Sequence, residues 1–329
     1  MILITGATGF IGTHVFKRFL KSAESKKIQI LLSEHKRHLI KKYPDIHYVF
    51  GDITEKSTIE KAVKNVNVII HLASKNIDKD NTGFTKINVE ATKWLCDAAY
   101  KAGVKKFIYL SSVGVYGHKM LIDADETEAI IPDTDFSSSK ATAEKIILEH
   151  HSANHFKGII LRHRFVYGKG DVHVIAKMVK VAQKYKFMFD GGKAKMSFVS
   201  ADDLAEVIFR FVYAKNISSV PIYHITDGIP VSYRELIFKI CDTYGFKKPT
   251  FSIPMKLIYP LIRLAERIRG IEPESTPSSL SSIRLKLIGT DNYFSNKKLL
   301  TQFPDLTFQP LLHNFEQLAE YYSQFKDSA

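Results

Sequence analysis

Apolar residues gather into short, uninterrupted runs along this chain: "MILIT" (1–5), "IQILL" (28–32), "IHYVF" (46–50), "NVIIHLA" (67–73), "KKFIYLSS" (105–112) and "FKGIILRH" (156–163). Each is rich in β-branched residues and apolar on both alternating faces, the pattern of a strand buried on both sides. Between them lie stretches with apolar residues at helical spacing, such as "IGTHVFKRFLKSA" and "VEATKWLCDAAYKAG". Strands alternating with amphipathic helices predict an α/β fold with a parallel sheet covered on both faces. Past residue 165 the rhythm loosens. "HVIAKMVKVAQK" reads as a helix, "SFVSADDLAEVIFRFVYA" as a strand entering one, "IYHITD" as a strand, and "SYRELIFKICDTYG" as a helix ending at Gly245. The remainder reads as mostly helical, with a Pro/Ser break at "PESTPSSLSS" (273–282).

The first strand runs directly into "TGATGFIG", which places Gly6, Gly9 and Gly12 at the entry of the first helix. The first glycine permits a tight turn, the second a close backbone approach to a pyrophosphate, and the third close packing of helix on strand. The amides of the helix N-terminus then face the anion. This refines the expected fold to a Rossmann-type doubly wound sheet, with a smaller, mostly helical C-terminal region. The expected division is a dinucleotide-binding domain over 1–165, with about 195–227 returning to it, and a mainly substrate-binding region over 166–329. Ribose selectivity turns on "ILLSEHKRH", where the second strand ends in Leu32 and Ser33 rather than an acid. Glu34 comes late, and Lys36 and Arg37 follow. Those basic side chains either answer a 2′-phosphate or form a solvated helix start. The expectation is NADP over NAD.

Composition narrows the partners. Of 329 residues 45% are hydrophobic, ample for a sizeable core, and no apolar run reaches the length of a membrane span. Lys+Arg outnumber Asp+Glu by 47 to 34, a formal charge of +13. Such a field steers anionic ligands or binds polyanions loosely. The lysines are dispersed and no nucleic-acid-binding motif accompanies them, so no specific nucleic acid is expected. Cys96 and Cys241 sit in helix-like surroundings and form no disulfide framework, which points to a reducing, cytoplasmic setting. The apolar stretch "MKLIYPLIRLAERIRG" reads first as core or as cover for a substrate cleft, then as a protein interface, with peripheral membrane contact a lesser reading.

Further motifs give the chain a family likeness. It resembles the extended (atypical) short-chain dehydrogenase/reductase family over nearly its whole length, through "TGATGFIG", "FGDITEKSTIEKAV", "VIIHLAS", "INVEATKWLCDAA", "YLSSVGVYG", "LRHRFVYGKGD" and "SFVSADDLA". "YHITDGIPVSYREL" and "DNYFSNKKLLTQFPDLTFQP" are most similar to its 3β-hydroxysteroid dehydrogenase branch. The resemblance implies that Gly6, Thr8, Gly9, Phe10, Ile11 and Gly12 hold the pyrophosphate, with Ser33, Lys36 and Arg37 near the adenosine ribose. It implies that Asp52 and Ile53 flank the adenine, that Leu72, Ala73, Ser74 and Ser111 line the cofactor, and that His163 and Val166 stand beside the nicotinamide. His163 departs from the proline common there. Asn88 is the implied structural asparagine, and Ser112 the implied catalytic serine. A homodimer through two long helices, or a monomer, is expected.

The family's chemistry moves a hydride between a carbinol carbon and nicotinamide while a tyrosine, its pKa lowered by a nearby lysine, moves the proton. In "TDFSSSKATAEKIIL" Lys140 is present, but the tyrosine position four residues earlier is Phe136, which has no titratable group. The helical offset is sound. Three explanations stay open: a deliberate Tyr-to-Phe change, a natural member using another donor (Tyr116, His118, His163 or water), or a cofactor-binding protein without turnover. Tyr116 reads first as a packing or substrate-contact residue. The expected function is NAD(P)-dependent oxidoreduction of a secondary alcohol or ketone, hydroxysteroid-like in class. A non-catalytic sensor and a nucleotide-sugar epimerase or dehydratase are the alternatives. His151 and His155 read as surface or capping residues rather than a metal pair. Asp202 and Asp203 read as helix-start acids.

Overall fold

The computed structural model describes residues 1–22, 27–43, 46–76, 83–270 and 281–326. Most of the Pro/Ser break at 273–282 lies outside them. The apolar runs become β1 (Ile2–Thr5), β2 (Ile28–Leu32), β3 (His47–Phe50), β4 (Val68–His71) and β5 (Lys106–Ser112). A short β6 (Leu121–Ala124) precedes β7 (Lys157–His163) and β8 (Phe165–Tyr167). A seven-stranded parallel sheet has the order Ile222–Ile225, β7, β5, β4, β1, β2, β3. Chain order reverses at β1, which pairs with β2 on one side and β4 on the other. That reversal is the switch point beside which dinucleotides bind in such sheets. Strands β1 and β2 are buried at every position, which is why their sequences read as apolar throughout.

The chain forms two compact units. The first comprises Met1–Val115, Ile130–Arg162 and Ala201–Tyr223. Its helices are α1 (Phe10–Leu20), α2 (Lys56–Ala62), α3 (Ala91–Lys101) and α4 (Asp135–Ser152), and later in the chain Ala201–Tyr213. One face of its sheet packs Leu3, Ile69, Phe107 and Ile160 against Leu95, Ala99, Ala143 and Ile147. Each leucine, isoleucine or phenylalanine among them contributes about 1.5–3 kcal/mol by leaving water. Cys96 lies in this core. Lys106, at the start of β5, is also buried. Its amine donates to the carbonyls of Phe211, Val212 and Ala214 at 2.7, 2.7 and 2.9 Å, satisfying the end of the Ala201–Tyr213 helix. Asp202 and Asp203 occupy that helix's first turn, and Asp202 accepts from His14 at 2.7 Å.

The second unit comprises Tyr116–Ala129, His163–Ser200 and His224–Ala329. Its helices include α5 (Ile175–Lys184), then after α6 (the Ala201–Tyr213 helix of the first unit) α7 (Tyr233–Tyr244) and α8 (Met255–Arg269). Helix α7 opens with a Ser232/Glu235 capping box and stops at Gly245 in the left-handed conformation. This unit also holds a four-stranded sheet of Val231–Ser232, Lys195–Met196, Asn292–Phe294 and β6, which the sequence pattern does not predict. Its strands are too short for an alternating pattern to register. Helix α8 buries Glu266 and partly covers Ile258, Tyr259 and Ile262, but Leu257, Leu261, Leu264 and Ile268 are exposed. Only one side of that apolar stretch therefore serves as core. Among the described residues, no helix is long and apolar enough to cross a membrane.

Candidate functional site

The loop after β1 is shaped by its glycines. Gly6 has φ of +74°, and a Cβ there would stand 2.5 Å from the Ala73 nitrogen at the end of β4. A Cβ on Gly12 would stand 2.0 Å from the Gly6 carbonyl oxygen. Gly9 is different: the nearest protein atom to its notional Cβ is that same oxygen, at 3.4 Å. The outer glycines thus bring strand and helix together, while the space above the middle one stays open. Thr8 and Gly9 are exposed at the tip. Helix α1 has Gly9 as N-cap with no side-chain cap and no acid in its first turn, so the amides around Phe10, Ile11 and Gly12 are available to an anion. These features fit a dinucleotide pyrophosphate.

Beyond β2, Arg37 is bound by Glu34 through three hydrogen bonds of 2.9–3.1 Å and lies 4.0 Å over the Phe50 ring. Ser33 makes a 3.4 Å contact with His35 and accepts the Lys36 amide through its carbonyl. Asp52 accepts from both the backbone and the hydroxyl of Thr54, and these bonds hold its carboxyl below the usual range. Ile53 packs against the core. After β4, the Leu72 amide donates to the Thr5 carbonyl and the Ala73 amide to the Thr5 hydroxyl. Ser74 donates to Asn88 Oδ1 at 3.2 Å.

Asn88 is the junction of the next layer. Its Oδ1 accepts the Lys75 amide at 2.8 Å, while its Nδ2 donates to Ser139 Oγ at 2.9 Å. It lies in a π-helical turn, Phe84–Glu90, that leads into α3. The three serines of "FSSSK" now separate in role. Ser137 completes a capping box with Thr134 at the start of α4. Ser139 joins Asn88 and donates to the Phe136 carbonyl. Ser138 faces outward and accepts from Thr142 through its carbonyl.

Phe136 is half-buried, with its ring edge-on to Phe84. One turn later Lys140 is buried, its Nζ donating to the Leu110 carbonyl at 2.9 Å and lying 5.9 Å from the Phe136 ring centre. Burial pushes its pKa down to about 7, against the opposing pull of Glu144. At the end of β5, the Ser112 hydroxyl oxygen accepts the Gly114 amide at 3.1 Å, which leaves its proton to donate elsewhere. Its neighbour Ser111 is buried with an unpartnered hydroxyl. Gly114 lies between the two elements, its notional Cβ 3.3 Å from Ser112 Oγ and 3.7 Å from Ser137 Cβ. The first unit therefore brings together the glycine loop, Ser33–Arg37, Asp52–Ile53, Leu72–Ser74, Asn88, Ser111, Ser112, Phe136 and Lys140.

His163, Val166 and Tyr116 belong to the second unit. Val166 is buried in β8. His163 Nδ1 lies 2.9 Å from the Arg164 carbonyl oxygen. Tyr116 is fully buried, its hydroxyl 2.7 Å from His224 Nε2 and its ring stacked on Phe294. Of the discounted histidines, His151 accepts the Gly158 amide and His155 meets His150 rather than His151. Two buried networks were missed by sequence reasoning. His71 is held between Thr5 and Thr92 at 2.7 and 2.9 Å, and burial followed by the Lys140 charge pushes its pKa down to about 3. Arg162 is paired with Glu144. The partners lie 18 residues apart on different elements, so no local spacing signalled the pair.

The profile described as the NAD dependent epimerase/dehydratase family matches residues 2–225. The chain belongs to that family. Among similar proteins, UDP-glucose 4-epimerase of Vibrio cholerae is 26% identical over 78% of this chain and 79% of its own. The 3beta-hydroxysteroid-dehydrogenase/decarboxylase isoform 1 of Arabidopsis thaliana is 23% identical over 98% of this chain and 80% of its own. In fold, this epimerase/dehydratase family member is similar to UDP-glucuronic acid 4-epimerase from Bacillus cereus solved with UDP-glucuronic acid and NAD. The TM-score is 0.76 at 20% identity, covering 98% of this chain and 99% of that one. The expectation of NADP over NAD is corrected here. That structure and five others of similar fold were solved with NAD. The physical reason for the misreading is visible at Arg37, whose guanidinium is engaged by Glu34 instead of standing ready for a 2′-phosphate.

Proposed function

We propose that this family member binds NAD and transfers a hydride to or from a secondary alcohol or ketone, at a rate limited by the missing hydroxyl at Phe136. The observation that carries the reading is the convergence of Ser112, Phe136 and Lys140 in one unit, beside a glycine loop shaped for a pyrophosphate. When bound, NAD supplies the hydride acceptor. Gly6, Gly9 and Gly12 admit its pyrophosphate, and Lys140 holds the nicotinamide ribose once its amine turns from the Leu110 carbonyl. Ser112 would donate a hydrogen bond to the substrate oxygen, and the proton that an alcohol releases on hydride transfer to NAD would pass to water. Phe136 takes the ring position of the family tyrosine, but it moves no proton.

Full-length likeness to a hydroxysteroid dehydrogenase/decarboxylase supports a hydroxysteroid-like alcohol as substrate. Binding without turnover is the second reading, favoured by the absence of a titratable group at position 136. Calorimetric titration with NAD tests the cofactor assignment: a folded sample without affinity for NAD would refute it. Incubation with a 3β-hydroxysteroid, UDP-glucose and UDP-glucuronic acid, followed by nicotinamide absorbance and product analysis, separates slow turnover from none.

A further inference from the structure

His71 ends β4, and the family likeness that assigns roles to Leu72, Ala73 and Ser74 assigns none to it. Its imidazole is sealed from solvent between two threonines that are also fully buried. Nδ1 lies 2.7 Å from the Thr5 hydroxyl, and Nε2 lies 2.9 Å from the Thr92 hydroxyl. The groups at either end determine which atoms carry the protons. Thr92 also donates to the Asn88 carbonyl oxygen at 2.8 Å, an atom that only accepts. Its single proton is used there, so Thr92 accepts from His71 and the imidazole proton sits on Nε2. Nδ1 is left to accept, and it takes the proton of Thr5. Thr5 Oγ1 in turn accepts the Ala73 amide at 3.3 Å. Burial, and after it the Lys140 charge, pushes the His71 pKa down to about 3, so no second proton interrupts this order at neutral pH.

Every donor in the chain Ala73, Thr5, His71, Thr92 thus points the same way, toward the carbonyl of Asn88. All of these residues belong to the first unit. At one end, Thr5 and Ala73 flank the glycine loop: Gly6 follows Thr5, and its notional Cβ stands 2.5 Å from the Ala73 nitrogen. At the other end, Asn88 sits in the π-helical turn Phe84–Glu90. Its side chain donates to Ser139, which donates to the Phe136 carbonyl. Single π turns are rare and concentrate at functional sites. A buried chain with every proton placed resists rearrangement, because turning any one member round leaves a donor or an acceptor unmatched. We propose that His71 is a positioning residue which, as its Nε2–H tautomer, holds the cofactor loop in register with the turn that supports the backbone at position 136. The proposal rests on the proposed function in taking Gly6–Gly12 as the seat of NAD.

The test compares two substitutions at the far end of the chain from the loop. Thr92→Val keeps the shape of the side chain but leaves the His71 Nε2 proton without an acceptor. Thr92→Ser keeps the hydroxyl and loses a packed methyl group. NAD affinity, by calorimetry on the full chain, should fall about tenfold in Thr92→Val and stay within about twofold of the wild type in Thr92→Ser. Melting temperature is recorded alongside, since a merely structural threonine would move affinity with stability in both variants. Nitrogen-15 spectra of the wild-type histidines, assigned through the backbone, should show His71 with a protonated Nε2 and an unprotonated Nδ1. An Nδ1–H tautomer in the wild type would overturn the proposal, as would wild-type NAD affinity in Thr92→Val or equal losses in the two variants. A wild type that binds no NAD would sink the proposed function, and the Ala73 amide, read without cofactor, then decides this one. Its hydrogen exchange should quicken about tenfold in Thr92→Val and not in Thr92→Ser, and equal exchange in all three proteins would refute the coupling.

Discussion

Substituting Phe136→Tyr adds one hydroxyl to a ring whose surroundings are already in place. Lys140 Nζ lies 5.9 Å from the ring centre, on the next turn of the same helix. With an ammonium about 5 Å from the new phenol and an effective dielectric of about 20, the attraction is roughly 3 kcal/mol, or about two pKa units. Burial has already pushed Lys140 to about 7, so phenol and amine will titrate as a coupled pair near neutrality. A positioned acid/base group contributes roughly 10²–10⁴-fold, about 3–5 kcal/mol of barrier. Turnover of the alcohol panel should rise by that factor, with NAD affinity unchanged because the ring volume is nearly conserved. The assay follows nicotinamide absorbance and product formation in both proteins across pH 6–9. Equal rates on any substrate that both proteins turn over would refute the reasoning, because another group would then already be moving the proton.

The other predictions concern what holds the site together. Gly6→Ala would set a Cβ 2.5 Å from the Ala73 nitrogen at positive φ, so calorimetry should show NAD affinity lost and thermal scanning a stability loss of about 1–3 kcal/mol. Glu144→Gln should cost about 3–5 kcal/mol in urea denaturation by leaving Arg162 as an unpaired buried charge; a loss under 1 kcal/mol would contradict this. Lys140 loses its proton near pH 7 when folded but near 10.5 when unfolded, so the unfolded chain holds more protons between those values and stability rises with pH across that window. Relative to the wild type, Lys140→Met should remove a slope approaching about 1.4 kcal/mol per pH unit, and unchanged slopes would show that the amine is not desolvated.

The central sheet was legible because its strands are buried on both faces, and a continuous apolar run marks such a strand without help from its neighbours. β2 begins and ends where "IQILL" does. The small sheet of the second unit was not legible, since pieces such as Lys195–Met196 are stabilised by partners distant in sequence, Val231 and Asn292 among them. The same distance hid the buried polar groups. Lys106 resembles a solvated strand end until the carbonyls of a helix a hundred residues later surround it. Charge signs also misled at Arg37: a basic run after β2 pointed to a phosphate, yet the glutamate three residues earlier takes up that guanidinium. The glycine loop was legible because its outer glycines, Gly6 and Gly12, answer a local steric demand. Ser137 and Ser139 were not, because their tasks depend on where α4 and the Phe84–Glu90 turn meet.

That meeting bears on the meaning of Phe136. Four independent restraints fix α4 around it: the Thr134–Ser137 capping box, Ser139 to Asn88, Lys140 to the Leu110 carbonyl, and Glu144 to Arg162. None of them uses the side chain of residue 136. A capping box contributes about 1 kcal/mol and breaking the buried ion pair costs several, so the helix register is set without any contribution from a hydroxyl at that position. A tyrosine there would have added a polar group needing a partner, whereas phenylalanine needs only the edge of Phe84. On the proposed function, α4 is therefore held in place at the position of the proton donor while its side chain carries none. A decayed site would show the opposite pattern, since mutations loosen helix caps and buried pairs as readily as they remove one oxygen. Four contacts that hold α4 in register around a residue without a proton donor are what the proposed binding of a ligand there requires.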